Sequence, residues 1–279
     1  MQWFDAILLG LIEGITEFLP ISSTGHLTIT EKLLGYSLED PAITAFTAVV
    51  QIGAISAAVI YFRSDILRVL KAWVGGLMES DLRSKPDYRL GWAIVIGVIP
   101  TIIIGLLAKH MIETSLRSLW WVVAGLAVWS FVLWIADSRV SNRLKEQDLN
   151  WRHSIAIGLA QAFALIPGVS RSGSTISAGL LLGYDRVSAT RFSFFLGIPV
   201  LIAAGLLQAV TKFDDIATHG VGWPQMIAAI IAAFIAGYIS IAWLIKYISS
   251  HDFRYFIWYR LALAAVIAVL LLTNTISAV

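Results

Sequence analysis

Six stretches of the sequence run without a single charged residue over about the length of a membrane span, roughly 20 residues: 41–62, 90–108, 118–136, 192–210, 220–245 and 261–279. Period-two alternation is absent from them, so they read as helices rather than barrel strands. With 58% hydrophobic and only 14% charged residues, the 279-residue chain is too apolar for a soluble domain of its length. It reads as an all-α integral membrane protein. The opening "MQWFDAILLG" lacks the basic start and small-residue cleavage site of a signal peptide, which predicts a retained N-terminus. No cysteine is present, which excludes disulfides, a thiol nucleophile and a thiolate metal site. No basic tract interleaved with aromatics points to nucleic acid as a partner.

Two further apolar stretches, 6–35 and 154–184, are broken near the middle by "LPISSTGH" and "IPGVSRSGST". Each half is too short to cross comfortably. They are predicted to be re-entrant helical hairpins that dip in and return on one side, their irregular tips buried in protein or lining a wet cavity. A kinked spanning helix with a long tail is the alternative.

Sliding the chain against itself by 148 residues sets Gly10 on Gly158, Glu13 on Gln161, Ser22 on Ser170, Gly25 on Gly173, and "LLGY" at 33–36 on "LLGY" at 181–184. Such matches predict one membrane domain, 1–279, built as two copies of a hairpin followed by three spans, about 1–136 and about 152–279. Three spans per copy is an odd number, so the second copy enters from the opposite face. That is an inverted-topology repeat, whose discontinuous helices meet near the midplane. Segments 63–89, 139–152, 186–191 and 246–260 hold fifteen of the 20 Lys and Arg, against Lys32, Lys109, Arg117 and Lys212 on the other side, with Arg171 left over. The positive-inside rule then makes the richer side cytoplasmic, with both termini and the first hairpin's mouth outside.

Polar chemistry concentrates at the two breaks. Glu13 and Glu17, spaced i and i+4, project from one helix face and repel unless a cation, a proton or a basic partner neutralises them. They are candidates for a divalent-cation site, or for a general base with a supporting carboxylate. Arg171 at membrane depth needs a carboxylate of the first hairpin or an anionic ligand. Ser170, Ser172, Ser174 and Thr175 around it, at a glycine-containing turn that opens a helix, have the chemistry of a phosphate cradle. In the first tip, Ser22 and Thr24 could simply cap a half-helix. Ser23 with His26 could supply a nucleophile and an acid/base. Gln51 and Gln161 are further polar candidates. His110, His153, His219 and His251 lack metal-ligand spacing, and Trp120, Trp121, Trp151, Trp223 and Trp258 read as interface anchors.

"EGITEFLPISSTGH" followed by "VVQIGA" and "PGVSRSGSTIS" closely resembles the signature regions of the bacterial undecaprenyl-diphosphate phosphatases, the bacitracin-resistance family. The resemblance covers essentially the whole chain. It implies a multi-pass inner-membrane enzyme that removes the terminal phosphate of undecaprenyl diphosphate, recycling the lipid carrier of cell-wall synthesis with a divalent cation, Mg²⁺ or Ca²⁺. By motif position it implies catalytic roles for Glu17, Ser23, His26 and Arg171, and metal ligation by Glu13 and Glu17. Arg171 with Ser170, Ser172 and Thr175 would bind phosphate, and Ser22 and Gln51 are added as substrate contacts from their place in the chain. Membrane lipid is an expected partner, a homodimer is compatible with the sequence, and the active site is expected to open outward. The acid-phosphatase-like lipid phosphatases also use "SGH" and "SR" elements. They require a histidine soon after the arginine, and "SRSGSTISAGLLLGY" has none. From architecture alone, a transporter or flippase for a polyprenyl phosphate is the rival, since inverted repeats with a midplane anion site suit a carrier.

Overall fold

A computed structural model of the chain describes residues 1–37, 40–108, 110–111, 115–211 and 222–278. Lys109, Lys212 and His219 lie outside the described residues. The described residues form α1 Trp3–Phe18, α2 Ser23–Leu33, α3 Pro41–Tyr61, α4 Arg63–Met78, α5 Pro86–Leu107, α6 Leu119–Ser138, α7 Trp151–Ala162, α8 Arg171–Leu182, α9 Arg186–Thr211, α10 Trp223–Ile248 and α11 Arg254–Leu272. Six of these, α3, α5, α6, α9, α10 and α11, are long and apolar enough to cross a membrane. The paired helices α1 and α2 have 16 and 11 residues, and α7 and α8 have 12 each, so none of the four spans roughly 30 Å of hydrocarbon alone.

Two boundaries differ from the charge-free windows. The segment after α3, which lies outside the charge-free windows, is helix α4, with Leu67, Leu70, Val74 and Leu77 exposed. It is tied down by Asp65, which accepts from Arg68 Nη2 at 2.8 Å and Arg191 Nη2 at 3.0 Å, while Arg191 Nε donates to Glu146 at 2.7 Å. Burial pushes the Asp65 carboxyl up, but the hydrogen bonds from Arg68 and Arg191 outweigh it and hold the group below the ordinary range. The last span begins at Arg254, not 261, and so takes Arg260 inside. Arg260, counted from sequence among the loop charges, is fully buried.

Small residues let backbones approach where lipid gives no hydrophobic drive to helix association. A Cβ on Gly10 of α1 would overlap the Ala229 carbonyl of α10, and one on Gly158 of α7 would overlap the Gly97 carbonyl of α5. Gly10 and Gly158 are 148 positions apart.

The outer ends of each short helix pair are clasped. Tyr36 donates its hydroxyl to Asp5 at 2.5 Å, closing α1 on α2, and the Tyr184 hydroxyl lies 2.7 Å from His153 Nδ1, closing α7 on the end of α8. At the tips, Ser22 caps α2 and Ser170 caps α8. Both are non-glycine residues at φ 74°, and each accepts from the backbone N–H three residues on, Gly25 and Gly173. Their side chains satisfy orphan donors of the helix starts.

Arg260 joins the two tips. Its Nη1 donates to the Pro20 carbonyl at 3.0 Å, and its Nη2 donates to Gly168 at 3.0 Å and Val169 at 3.1 Å. Nη2 also donates to Gly125 at 3.2 Å, and Nε to Ser130 Oγ at 3.1 Å. Ser172 Oγ adds a second tie, donating to the Leu19 carbonyl at 3.1 Å.

Candidate active site

Where the tips meet, Glu17 on the last turn of α1 receives two groups. Ser23 Oγ donates to Oε2 at 2.7 Å, and Arg171 donates to Oε1 from Nη2 at 3.2 Å and Nε at 3.3 Å. The carboxylate is buried, so this compensation is what permits a charge there. Arg171 is held from behind by Nη1 donating to the Ser193 carbonyl at 3.1 Å.

Glu17, Ser22, Ser23, Ser170 and Arg171 line a cavity of 170 Å³, with Gln51, Thr101 and Gln161 on its walls. A wider vestibule of 870 Å³ shares Ser23, Thr24 and Gln51 with it and reaches Glu13, Glu31 and Lys32. The inner cavity has the size of a phosphate group or two, with a guanidinium, hydroxyls and a carboxylate facing it.

The remaining predicted residues are placed less directly. His26 lines neither cavity. Its Nδ1 donates to the Ser22 carbonyl at 2.7 Å, and its Nε2 pairs with the Tyr259 hydroxyl at 2.7 Å, the two rings stacked. Both nitrogens are therefore spent on holding the tip. Thr175 donates toward Ser193 Oγ of α9 at 2.6 Å, Ser174 toward the Arg171 carbonyl at 2.8 Å and Ser172 to the Leu19 carbonyl of the other tip, so these hydroxyls are engaged within the protein. Gln161 donates to Thr101 at 3.0 Å. Arg260 and Tyr259 were not anticipated.

Among the described residues no three His, Asp or Glu side chains gather as a metal cluster. The donor set nevertheless fits a hard cation. Glu13 is 2% exposed and its Oε1 has no hydrogen-bond partner among the described residues, a costly state for a carboxylate at this depth. Of the paired glutamates, Glu17 is engaged by Ser23 and Arg171, and Glu13 retains the unpartnered oxygen.

The family model described as bacitracin resistance protein BacA matches residues 6–266. The chain belongs to the BacA family. Its relatives in that family include undecaprenyl-diphosphatase 3 of Frankia casuarinae, 52% identical over 278 residues, and the undecaprenyl-diphosphatases of Cutibacterium acnes, 49% identical, and Acidothermus cellulolyticus, 47% identical. Each alignment covers the full length of both chains. Six candidate spans and membership of the BacA family make it a multi-pass membrane protein.

Proposed function

We propose that this chain hydrolyses undecaprenyl diphosphate to undecaprenyl phosphate and inorganic phosphate, returning the lipid carrier to cell-wall synthesis and so opposing bacitracin. The observation that carries this reading is the Ser23–Glu17–Arg171 chain of contacts on the wall of a phosphate-sized cavity. A nucleophile, a base and an anion-binding cation lie in line. The names of relatives aligned over the full chain point to the same substrate.

The polyprenyl tail lies in the bilayer while the diphosphate enters the inner cavity. Arg171, on the cavity wall, neutralises charge as it builds on the transferred group. Ser23 Oγ forms a bond to the terminal phosphorus as the bridging P–O bond breaks, and Glu17 takes the Ser23 proton. Undecaprenyl phosphate departs. Water then attacks the phosphoserine phosphorus as the Ser23 Oγ–P bond breaks, Glu17 returns its proton to Ser23 Oγ, and both protons of the water leave on inorganic phosphate. His26 holds Ser22 and hence the backbone of Ser23. Glu13 would hold a divalent cation, which when bound supplies further neutralisation of phosphate charge. A carrier needs an anion site alone, so the Ser23–Glu17 pair favours the enzyme over a flippase.

The short helix pairs are re-entrant hairpins of an inverted repeat, one copy over about 1–136 and the other over about 152–279. Supporting this are pairs at the 148-residue offset: the caps Ser22 and Ser170 at one φ, the clasps Asp5–Tyr36 and His153–Tyr184, and the carbonyls of Pro20 and Gly168 on one arginine. The basic loops face the cytoplasm, and the vestibule opens outward with both termini. Ser80→Cys in this cysteine-free chain is then labelled only from the cytoplasmic side.

Inorganic phosphate released from undecaprenyl diphosphate by the purified protein in detergent, with and without chelator, tests the activity. No release at any cation concentration, or full activity in Arg171→Ala, overturns it.

A further inference from the structure

Glu31 plays no part in the chemistry above, yet it is 5% exposed on α2 and lines the same vestibule as Glu13. Its Oε1 accepts from Thr47 Oγ1 of α3 at 2.7 Å, which fixes the carboxylate's direction. The neighbouring cation on the vestibule wall, Lys32, is engaged by Ser277, donating to its carbonyl at 2.8 Å and its hydroxyl at 2.9 Å. So the vestibule holds two buried acidic groups, one with an unpartnered oxygen and the other oriented by a hydroxyl, and neither forms an ion pair with a basic side chain among the described residues.

Like charges in that position call for a cation between them, a basic partner or a proton on one of them. A Mg²⁺-class ion, which keeps most of its waters and takes one or two carboxylates, fits two carboxylates better than one. We propose that Glu31 is the second carboxylate of the divalent-cation site, paired with Glu13 across the vestibule and oriented by Thr47, in place of Glu17. The assignment rests on the reading of Glu13 as a cation ligand. It leaves Glu17 free to take the Ser23 proton. It also puts the ion in the vestibule, beside the walls shared with the inner cavity at Ser23 and Gln51.

The test is Mn²⁺ binding to the purified full chain in detergent, read by electron paramagnetic resonance, beside the Mg²⁺ concentration that gives half-maximal phosphate release. Glu31→Gln is expected to weaken Mn²⁺ binding by at least about 100-fold and to raise the Mg²⁺ requirement in step. Thr47→Val keeps both carboxylates and loses only the orienting hydroxyl, and should weaken binding about tenfold, the size typical of a group that orients a metal ligand. Glu17→Gln, which removes a nearby charge but no ligand, should weaken Mn²⁺ binding by no more than about tenfold, the low end for a group outside the coordination sphere. Parent-like Mn²⁺ binding in Glu31→Gln, or loss of binding in Glu17→Gln with Glu31→Gln unaffected, overturns the proposal. If Glu31→Gln does not fold, Thr47→Val alone decides, and unchanged binding there overturns it too. Mn²⁺ binding that depends on Glu31 in a parent that releases no phosphate would sink the phosphatase reading and leave this site standing. Phosphate release with no effect of Glu31 or Thr47 on either readout does the reverse.

Discussion

The guanidinium of Arg171 rests directly on Gly197 of α9, where any Cβ would overlap Nη1. The glycine is therefore the floor on which the arginine lies while it faces Glu17. Gly197→Ala should lift Arg171 from its position without removing its charge. Phosphate release at low substrate should fall about a hundredfold, the size of effect an ångström of misplacement produces. Thermal unfolding in detergent should show a loss of about 1–3 kcal/mol from overpacking. Unchanged turnover in a folded Gly197→Ala protein would show that Arg171 is not held against its floor during the reaction.

Ser23 and Glu17 act as one unit if Glu17 takes the serine's proton across their 2.7 Å contact. Glu17→Gln and Ser23→Ala should each lower kcat by about 10²–10⁴, the range of a lost acid/base or nucleophile. The double variant should be little worse than either single one. Steady-state rates of the three proteins decide it, since losses that multiply would mean independent roles.

Arg260→Met replaces the guanidinium between the tips with an apolar chain and strands the carbonyls of Pro20, Gly168 and Val169 in a buried place. Each unsatisfied buried acceptor costs about 1–3 kcal/mol, so the protein should lose at least about 3 kcal/mol of stability. Arg260→Lys should recover only part of it, because an ammonium lacks the planar fork that reaches both tips at once. Melting temperatures in one detergent would compare the three.

Asp65 has its carboxyl held below the ordinary range, so the stability it contributes is present above the unfolded-state pKa of about 4 and is lost as pH falls through the lower folded value. Asp65→Asn should therefore melt below the parent at pH 7, and the gap should close in strongly acidic buffer. A gap that persists at the acidic end would mean the effect is packing of α4 rather than charge.

Spans, breaks and the 148-residue offset were legible because hydrophobic length and repeated glycines and serines are local signals. Glu17, Ser23 and Arg171 were legible as well, since three polar groups at two breaks in apolar helices need one another. Which face of α8 looks into the cavity was not. Ser172 and Thr175 lie i and i+3 and bond to Leu19 and Ser193, so of the hydroxyls read around Arg171 as a cradle these two are engaged within the protein, while Ser170 lines the cavity. His26 looked like a neighbour for Ser23, but its partner is Tyr259, 233 positions away, beyond any local pattern. Arg260 was hidden by its place, just before a charge-free window, where hydropathy assigns it to a loop. Only the crossing of its helix past two tips reveals carbonyls waiting for it. The second clasp was half visible: the tyrosines of both "LLGY" repeats match, but Asp5 is answered by His153, which identity matching passes over.

The position of Arg260 in the last helix also bears on how the protein is made. Residues 20 and 168 leave the ribosome long before residue 260, so the carbonyls of both tips must wait for α11 before their final donor arrives. A nascent chain lacking its last helix has Ser23, Glu17 and Arg171 already in the bilayer, but only the Ser172–Leu19 bond and the Arg171–Glu17 pair between the two tips, without the buried guanidinium that takes carbonyls from both. Competence to process lipid then comes on only with completed synthesis, and a chain cut short by a premature stop would be inert rather than half active.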